Sequence, residues 1–403
     1  MKIKTTLFTA FLLVSTASWA GGYQLQEYSV TNAGRAFGGA GIVGDDYSAI
    51  AFNPAGMTLK QSGMQLGAMG MDIHSNVNGH LNDGPRVGSK GKLRNFKVIP
   101  HGFGQYAYKD WRIGLGVYTP FGLGTYYNKS WFGKTHALTS EITAIDINPT
   151  VAWKPVEWLS IGAGFILERM DARLTNIAPN GKMSDMNADG WGHGWNAGIM
   201  FEPTKTTRFG VAYRSPVVQR IKGKHHFAGL TEGISSTKLV DPEHVQFTAY
   251  QEIGKFGLSA MARWTRWSRF DMLSIKSTAL KKVDASLSPS QVNESWRNVW
   301  TLSGGVDYHF CKNLTFRTGL AYDEGAVKNP EHRTARVPDS NRWIASVGAS
   351  YMKGNWEVDL SYFHMFWDKA RVNSTATTRP GTKIHGVYRT QINSVGLGVQ
   401  YHF

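Results

Sequence analysis

The chain has 403 residues, 44 Lys and Arg against 29 Asp and Glu, and a formal charge of +15. Mean hydropathy is −0.29, and beyond residue 20 no stretch offers the roughly 20 consecutive apolar residues of a membrane helix, which excludes a helical membrane bundle. Cys311 is the only cysteine, so no intrachain disulfide forms, and the basic residues are scattered instead of gathered into the block that nucleic-acid binding uses.

Residues 1–20 read as a secretory signal peptide. Lys2 and Lys4 form its positive region, Leu7 to Val14 its apolar core, and Ala17-Ser18-Trp19-Ala20 a small-residue cleavage site. The apolar core is too short to span about 30 Å as a helix. Without the leader, 42 Lys and Arg face 29 Asp and Glu, a balance of +13 that suits an anionic outer surface. Exported, with 45 Gly and 12% aromatics, the chain has the profile of a transmembrane β-barrel or a secreted β-protein.

Residues 21–60 follow as a segment of another character. Gly21-Gly22-Tyr23-Gln24-Leu25 through Gly34-Arg35-Ala36-Phe37-Gly38-Gly39 to Asn53-Pro54-Ala55-Gly56 is too rich in Gly and Ala for one regular element. Its Tyr23, Leu25, Phe37, Ile42, Ile50, Phe52 and Met57 are too apolar for a solvated tail. It is expected to be packed inside residues 61–403, the barrel.

From residue 61 the pattern has period two, the strand signature. Trp300, Leu302, Val306, Tyr308 and Phe310 share one face, and Thr301, Ser303, Gly305, Asp307 and His309 the other. Strands are expected at 62–75, 94–109, 111–119, 141–154, 157–173, 191–203, 206–221, 240–253, 255–272, 295–310, 313–323, 341–353, 355–369 and 386–403, about 14 in all. Short connections alternate with long ones, near 76–93, 120–140, 174–190, 222–239, 273–294, 324–340 and 370–385, as periplasmic turns alternate with outer loops. The fold class is therefore all-β: a transmembrane antiparallel barrel in the outer membrane, bordered by outer-membrane lipid and lipopolysaccharide. Trp residues near strand ends suit interfacial girdles. The last strand runs to Phe403, an end that the barrel assembly machinery recognises.

Strand parity sorts side chains by face. Arg208, Arg214, Arg263 and Arg317 point inward, with the acids Asp146, Glu202, Asp307, Glu357 and Asp359. Most of these charges are expected to pair with one another and with the plug; one or two Arg left over would hold an anionic head group by a bidentate contact. The inward apolar residues Met200, Met261, Ile344, Phe363 and Met365 have little use in a water-filled porin, whereas a path for hydrophobic ligands would use them. No cofactor, metal-ligand spacing or catalytic motif is found among the His residues or elsewhere. The pair His225-His226 reads as part of an exposed charged loop.

These features, taken in order, resemble the FadL outer-membrane transporters of long-chain fatty acids and other hydrophobic compounds. The resemblance rests on Gly22-Tyr23-Gln24-Leu25, Gly34-Arg35-Ala36 and Asn53-Pro54-Ala55. It continues through Phe121-Gly122-Leu123-Gly124-Thr125, Gly190 to Ile199, Tyr213-Arg214-Ser215, Thr315 to Gly319 and Val337-Pro338-Asp339-Ser340-Asn341-Arg342. It implies a monomeric 14-strand barrel plugged by an N-terminal hatch. It further implies a groove among the outer loops, a tighter inner site, and a side exit at a kinked third strand. Passive uptake would follow binding, hatch movement and lateral exit. Gly21, Gly22, Tyr23, Gln24 and Leu25 are then the moving part, Asn53, Pro54 and Ala55 lie beside the exit, and Thr119-Pro120 mark the kink, Pro being unable to donate to a ladder. For the carboxylate the resemblance points to Arg173, near Arg169; both sit on the outward parity and need a bulge to turn in. Arg317, Arg214 and Arg263 compete with them. Neutral aromatic hydrocarbons are the alternative substrates, and a general diffusion porin or a purely structural barrel are the other classes.

Overall fold

The computed structural model describes residues 21–82, 89–374 and 382–403. In chain order the strands are β1 (Gly63–Leu81), β2 (Ser89–Tyr108), β3 (Trp111–Tyr126), β4 (Thr139–Val156), β5 (Leu159–Ile177) and β6 (Met183–Thr204). Next come β7 (Thr207–Arg214), β8 (Val217–Phe227), β9 (Thr231–Asp241), β10 (His244–Ile253), β11 (Phe256–Thr265), β12 (Met272–Ser277) and β13 (Ser290–Asn293). The last are β14 (Val299–Cys311), β15 (Leu314–Asp323), β16 (Arg342–Lys353), β17 (Trp356–Trp367), β18 (Ala370–Ser374) and β19 (Ile384–His402). Five walls are interrupted and come as two segments each: β7–β8, β9–β10, β11–β12, β13–β14 and β17–β18. The result is fourteen antiparallel strands, closed by β1 against β19 from Gly63↔His402 to Leu81↔Ile384. Closure gives every wall strand a paired neighbour on both sides, the condition for β-structure in lipid.

All fourteen expected strands are present, and several run further outward than the alternation suggests. β1 reaches Leu81, β5 Ile177, and β8 and β9 fill most of 217–241. These extensions form tall hairpins above the membrane, where both faces meet polar surroundings and the apolar period fades. Within the membrane the period is clear: Phe209, Val211, Phe247, Leu258, Leu302 and Leu320 point outward and are exposed, for lipid to cover.

Residues 21–60 lie inside this wall, nearly all buried. They form two one-turn helices, α1 (Val30–Ala33) and α2 (Ala49–Phe52), and a 3-10 turn, Pro54–Leu59. Ser29 caps α1 by accepting from the Asn32 N–H at 3.0 Å, and Asn53 caps the 3-10 turn through the Ala55 N–H at 3.1 Å. The wall makes room with glycine: a Cβ on Gly198 would fall 1.9 Å from Asn53 Oδ1. An ion cluster ties the segment down. Arg35 donates to both oxygens of Asp307, at 3.0 and 2.9 Å, and to Asp45 at 2.7 Å, while Arg317 meets Asp45 at 3.0 Å. Arg35 and Asp307 are almost fully buried, and breaking such a pair costs about 3–5 kcal/mol because one charge is stranded.

The wall has one irregularity that bears on function. β3 pairs with β4 in two runs, ending at Tyr118↔Asp146 and resuming at Phe121↔Ala144, so the Thr119-Pro120 stretch carries one extra residue. On its other side β3 pairs with β2 only from Tyr108↔Trp111 to Gly102↔Val117. Beyond Val117, β3 has no ladder partner on β2 among the described residues.

Candidate functional site

The first residues of the internal segment take up part of what β3 loses. The Leu25 N–H donates to the Pro120 carbonyl at 2.7 Å, and the Gly122 N–H donates to the Tyr23 carbonyl at 2.8 Å. Gln24 and Phe121 form the bridge between them. The Gln24 side chain meets His244 Nδ1 at 3.1 Å and accepts from Thr265 Oγ1 at 3.1 Å. Upstream, the Gly22 N–H donates to Asp339 Oδ2 at 3.1 Å and the Gly21 N–H to Asp323 Oδ2 at 3.2 Å. Gly22 sits at φ +69°, and a Cβ there would come within 2.4 Å of the Trp296 ring, so this position demands glycine.

Tyr23 stands among rings: Trp267 at 4.8 Å between centroids, and Phe121, Phe270 and Trp296 at 5.9 Å. It also lines a narrow, partly open apolar cavity of about 60 Å³. The other walls come from Leu123 and Ile142 at the kinked side, Leu174 and Met186 on β5 and β6, and Leu239 and Ile275 on the outer segments β9 and β12. The lining is almost entirely apolar. Two charged groups border it, Arg336 and Glu294, both from loops on the outer side.

Arg336 is held in place from both ends. Its carbonyl accepts from Thr125 Oγ1 at 2.7 Å, and its guanidinium donates to Ser140 Oγ at 3.0 Å. Burial lowers this guanidinium to about 10, which leaves it charged at neutral pH. Glu294 accepts from the Trp296 indole N–H at 3.1 Å. Burial pushes its carboxyl up to about 7, against the opposing pull of that hydrogen bond and of Arg336. A mostly apolar chamber with one cation and one titrating acid can hold a hydrophobic molecule that ends in a carboxylate.

The arginines expected to hold a head group lie elsewhere. Arg173 and Arg169 point outward, as strict parity requires. β5 pairs with β6 in unbroken register from Leu159↔Phe201 to Ile177↔Met183, with no bulge to turn them in. Each is paired there: Arg173 with Asp185 at 2.8 Å, Arg169 with Asp189 at 3.0 Å. Arg317 belongs to the ion cluster that holds the internal segment. Arg214 is taken by Glu168 at 2.8 Å and by Asp146. Arg263 is the exception: fully buried, it donates to Gln246 Oε1 at 2.6 and 3.1 Å, lies over the Phe52 ring, and its Nη1 has no partner. None of the five lines the cavity.

The apolar candidates also fall outside it. Met200 packs with Ile42, Ala55 and Tyr250, Phe363 lies 6.5 Å from Phe37, and Met261 and Ile344 join the same core. They pack in the apolar clusters that include the internal segment. His225 corrects another expectation. It is buried on β8 between Ser184 at 2.9 Å and Ser277 at 2.7 Å, while His226 is exposed and meets Glu232. Arg336 and Glu294 were missed because loop residues show no parity. The one available signal was adjacency, since Arg336 directly precedes the Val337-to-Arg342 motif.

The fold and cavity agree with what the chain resembles. Residues 11–403 match the family described as outer membrane protein transport protein (OMPP1/FadL/TodX). The chain belongs to this family. A 47 kDa outer membrane protein of Pasteurella multocida is 30% identical over 99% of this chain and 98% of its own length. The long-chain fatty acid transport protein of Escherichia coli K12 is 26% identical over 90% of this chain and 92% of its own. A FadL homologue of Pseudomonas aeruginosa superposes with a TM-score of 0.85 at 22% identity, covering 95% of this chain and all of that one. The toluene transporter TodX of Pseudomonas putida gives 0.68 at 14% identity, covering 94% and 98%. This FadL-family protein is an outer-membrane transporter of hydrophobic substrates and not an enzyme.

Proposed function

We propose that this FadL-family barrel takes up long-chain fatty acids by passive diffusion. The observation that carries the reading is the apolar lining of the cavity together with the Arg336 guanidinium at its border, beside Tyr23 of the internal segment. The acyl chain would lie along the apolar wall and its carboxylate would meet Arg336. Tyr23 lines the same cavity, so an occupant presses on the stretch that is hydrogen-bonded to the kinked β3. Displacing Tyr23 to Leu25 from Pro120 and Gly122 would open a way toward the side where β3 has lost β2. Arg263, buried with a free Nη1 and two residues before Thr265, which donates to Gln24, is a second cation for the carboxylate to meet. The segment 21–60 is on this reading a moving hatch and the exit is lateral.

The test is oleate binding to purified protein, followed by the fluorescence of Trp267 and Trp296, which pack against Tyr23. Arg336→Gln is expected to weaken oleate by about tenfold, the worth of a charge-assisted bond. Unchanged affinity would remove the head-group assignment. The second reading, uptake of neutral aromatic hydrocarbons, is favoured by Glu294, whose negative charge when ionised offsets Arg336. It predicts toluene binding that is indifferent to Arg336→Gln, and growth on toluene but not on oleate that depends on the gene.

A further inference from the structure

Some outward cations of this barrel are neutralised and others are not. On β5 and β6 they are neutralised, Arg169 by Asp189 and Arg173 by Asp185. Arg220, Lys222 and Lys224 on β8, Lys238 on β9 and Lys276 on β12 are exposed with no side-chain partner among the described residues. The same holds on the neighbouring strands β18, β19, β1 and β2. Lys90, Lys92, Arg94, Arg371 and Arg389 all point outward and are exposed, and none makes a hydrogen bond or ion pair through its side chain among the described residues. β2 and β19 contain no Asp or Glu, and the only outward acid on β1 is Asp72, already joined to His74 at 2.8 Å.

Register gathers these residues into one patch. Asn76 of β1 stands between Lys92 and Arg389, Asn78 between Lys90 and Val387, and Val387 in turn faces Arg371. Four adjacent strands give a width of about 15 Å, and Lys90 to Arg94 give a height of about 14 Å. Directly toward the membrane come aromatic rings: Phe96, 64% exposed, one step below Arg94, and Phe366, 55% exposed, opposite Gln391 at the Arg94 level. Below them Tyr362, Val395 and Leu397 begin the lipid-facing belt. The patch therefore stands at the outer rim, its lower edge at the ring level where acyl chains give way to head groups.

We propose that this face binds the phosphates of the phosphorylated glycolipid of the outer leaflet, the lipid A portion of lipopolysaccharide. Five unpaired cations offer forked and point-charge donors to phosphate oxygens, and the rings and belt beneath take the acyl chains of the same molecule. Water alone at such a face would leave five like charges repelling one another within about 15 Å. Lipid A supplies two phosphates at the height where the cations stand.

Purified full-length protein is titrated with bisphosphorylated lipid A, with dephosphorylated lipid A and with phosphatidylglycerol in the same detergent, and bound lipid is counted by native mass spectrometry. The triple variant Lys92→Glu, Arg94→Glu, Arg389→Glu should lose at least about tenfold in affinity for bisphosphorylated lipid A. The pair Arg169→Glu, Arg173→Glu should match wild type. Equal retention by the triple variant, an equal loss in the Arg169/Arg173 pair, or equally tight binding of dephosphorylated lipid A or phosphatidylglycerol by wild type would each overturn the proposal. Should the triple variant not fold, as judged by heat-modifiable migration, Arg389→Gln and Lys92→Gln are measured singly. Each is then expected to lose about threefold, and no loss in either overturns the proposal.

Discussion

Arg336 and Glu294 set the chemistry of the cavity, and their opposite charges make it pH-dependent. The Glu294 carboxyl is pushed up to about 7 by burial, so below that value it is largely neutral and Arg336 acts alone. An anionic ligand beside Glu294 raises its proton affinity further, so binding takes up protons and affinity must fall as pH rises through about 7. Oleate titrations at about pH 6 and about pH 8 should show weaker binding at the higher value. Glu294→Gln should abolish the difference and keep the tighter constant; a pH slope that survives the substitution would assign it to another group. Fatty-acid ionisation, which favours binding with rising pH, has the opposite sign and cannot imitate the effect.

Two elements share the mechanical work, the kinked β3 and the stretch from Gly21 to Leu25. Tyr23 to Leu25 make two backbone hydrogen bonds to β3, at 2.7 and 2.8 Å, few enough to exchange without disturbing the barrel. A disulfide joining Gln24→Cys to Phe121→Cys, which form a bridge pair in a protein whose only native cysteine is the exposed Cys311, should lock that arrangement. Oxidised cells are expected to lose oleate uptake and to regain it with reductant. Uptake indifferent to oxidation would mean that these residues do not move. Deleting Thr119 tests the other element. It removes the extra residue, restores plain register between β3 and β4, and should reduce uptake several-fold, as measured with labelled oleate, while leaving oleate binding in place.

At the scale of the whole barrel, the Arg35, Asp45, Asp307 and Arg317 cluster anchors the internal segment to β14 and β15. Arg35→Met leaves the two carboxylates Asp307 and Asp45 with Arg317 alone, one charge uncompensated, and should destabilise by about 3 kcal/mol. The loss would appear as a lower urea midpoint of the folded, heat-modifiable form and as faster proteolysis within residues 30–60. An unchanged midpoint would show that solvent reaches the cluster. Because the internal segment fills the lumen, planar bilayers should show conductance far below that of an open porin.

Much of this was legible in the chain. Period two and alternating loop lengths gave fourteen strands, because a membrane-spanning strand must put apolar residues on lipid at every second position. Parity also placed Arg214, Arg263 and Arg317 inward and Arg169 and Arg173 outward. Thr119-Pro120 marked the irregular strand, since proline has no N–H to give. What the linear order could not assign was partnership. Whether an inward arginine is free depends on acids tens or hundreds of residues away, as Arg35 on Asp307 illustrates, and on the depth at which each stands. Loop residues carry no period at all, so Arg336 and Glu294 became visible only when the tertiary structure folded two outer loops over one cavity. The same holds for the rim cations: Lys90, Lys92 and Arg371 fall in expected loops and carry no parity there, and only cross-strand register shows that they stand outward beside Arg94 and Arg389 with no acid next to them.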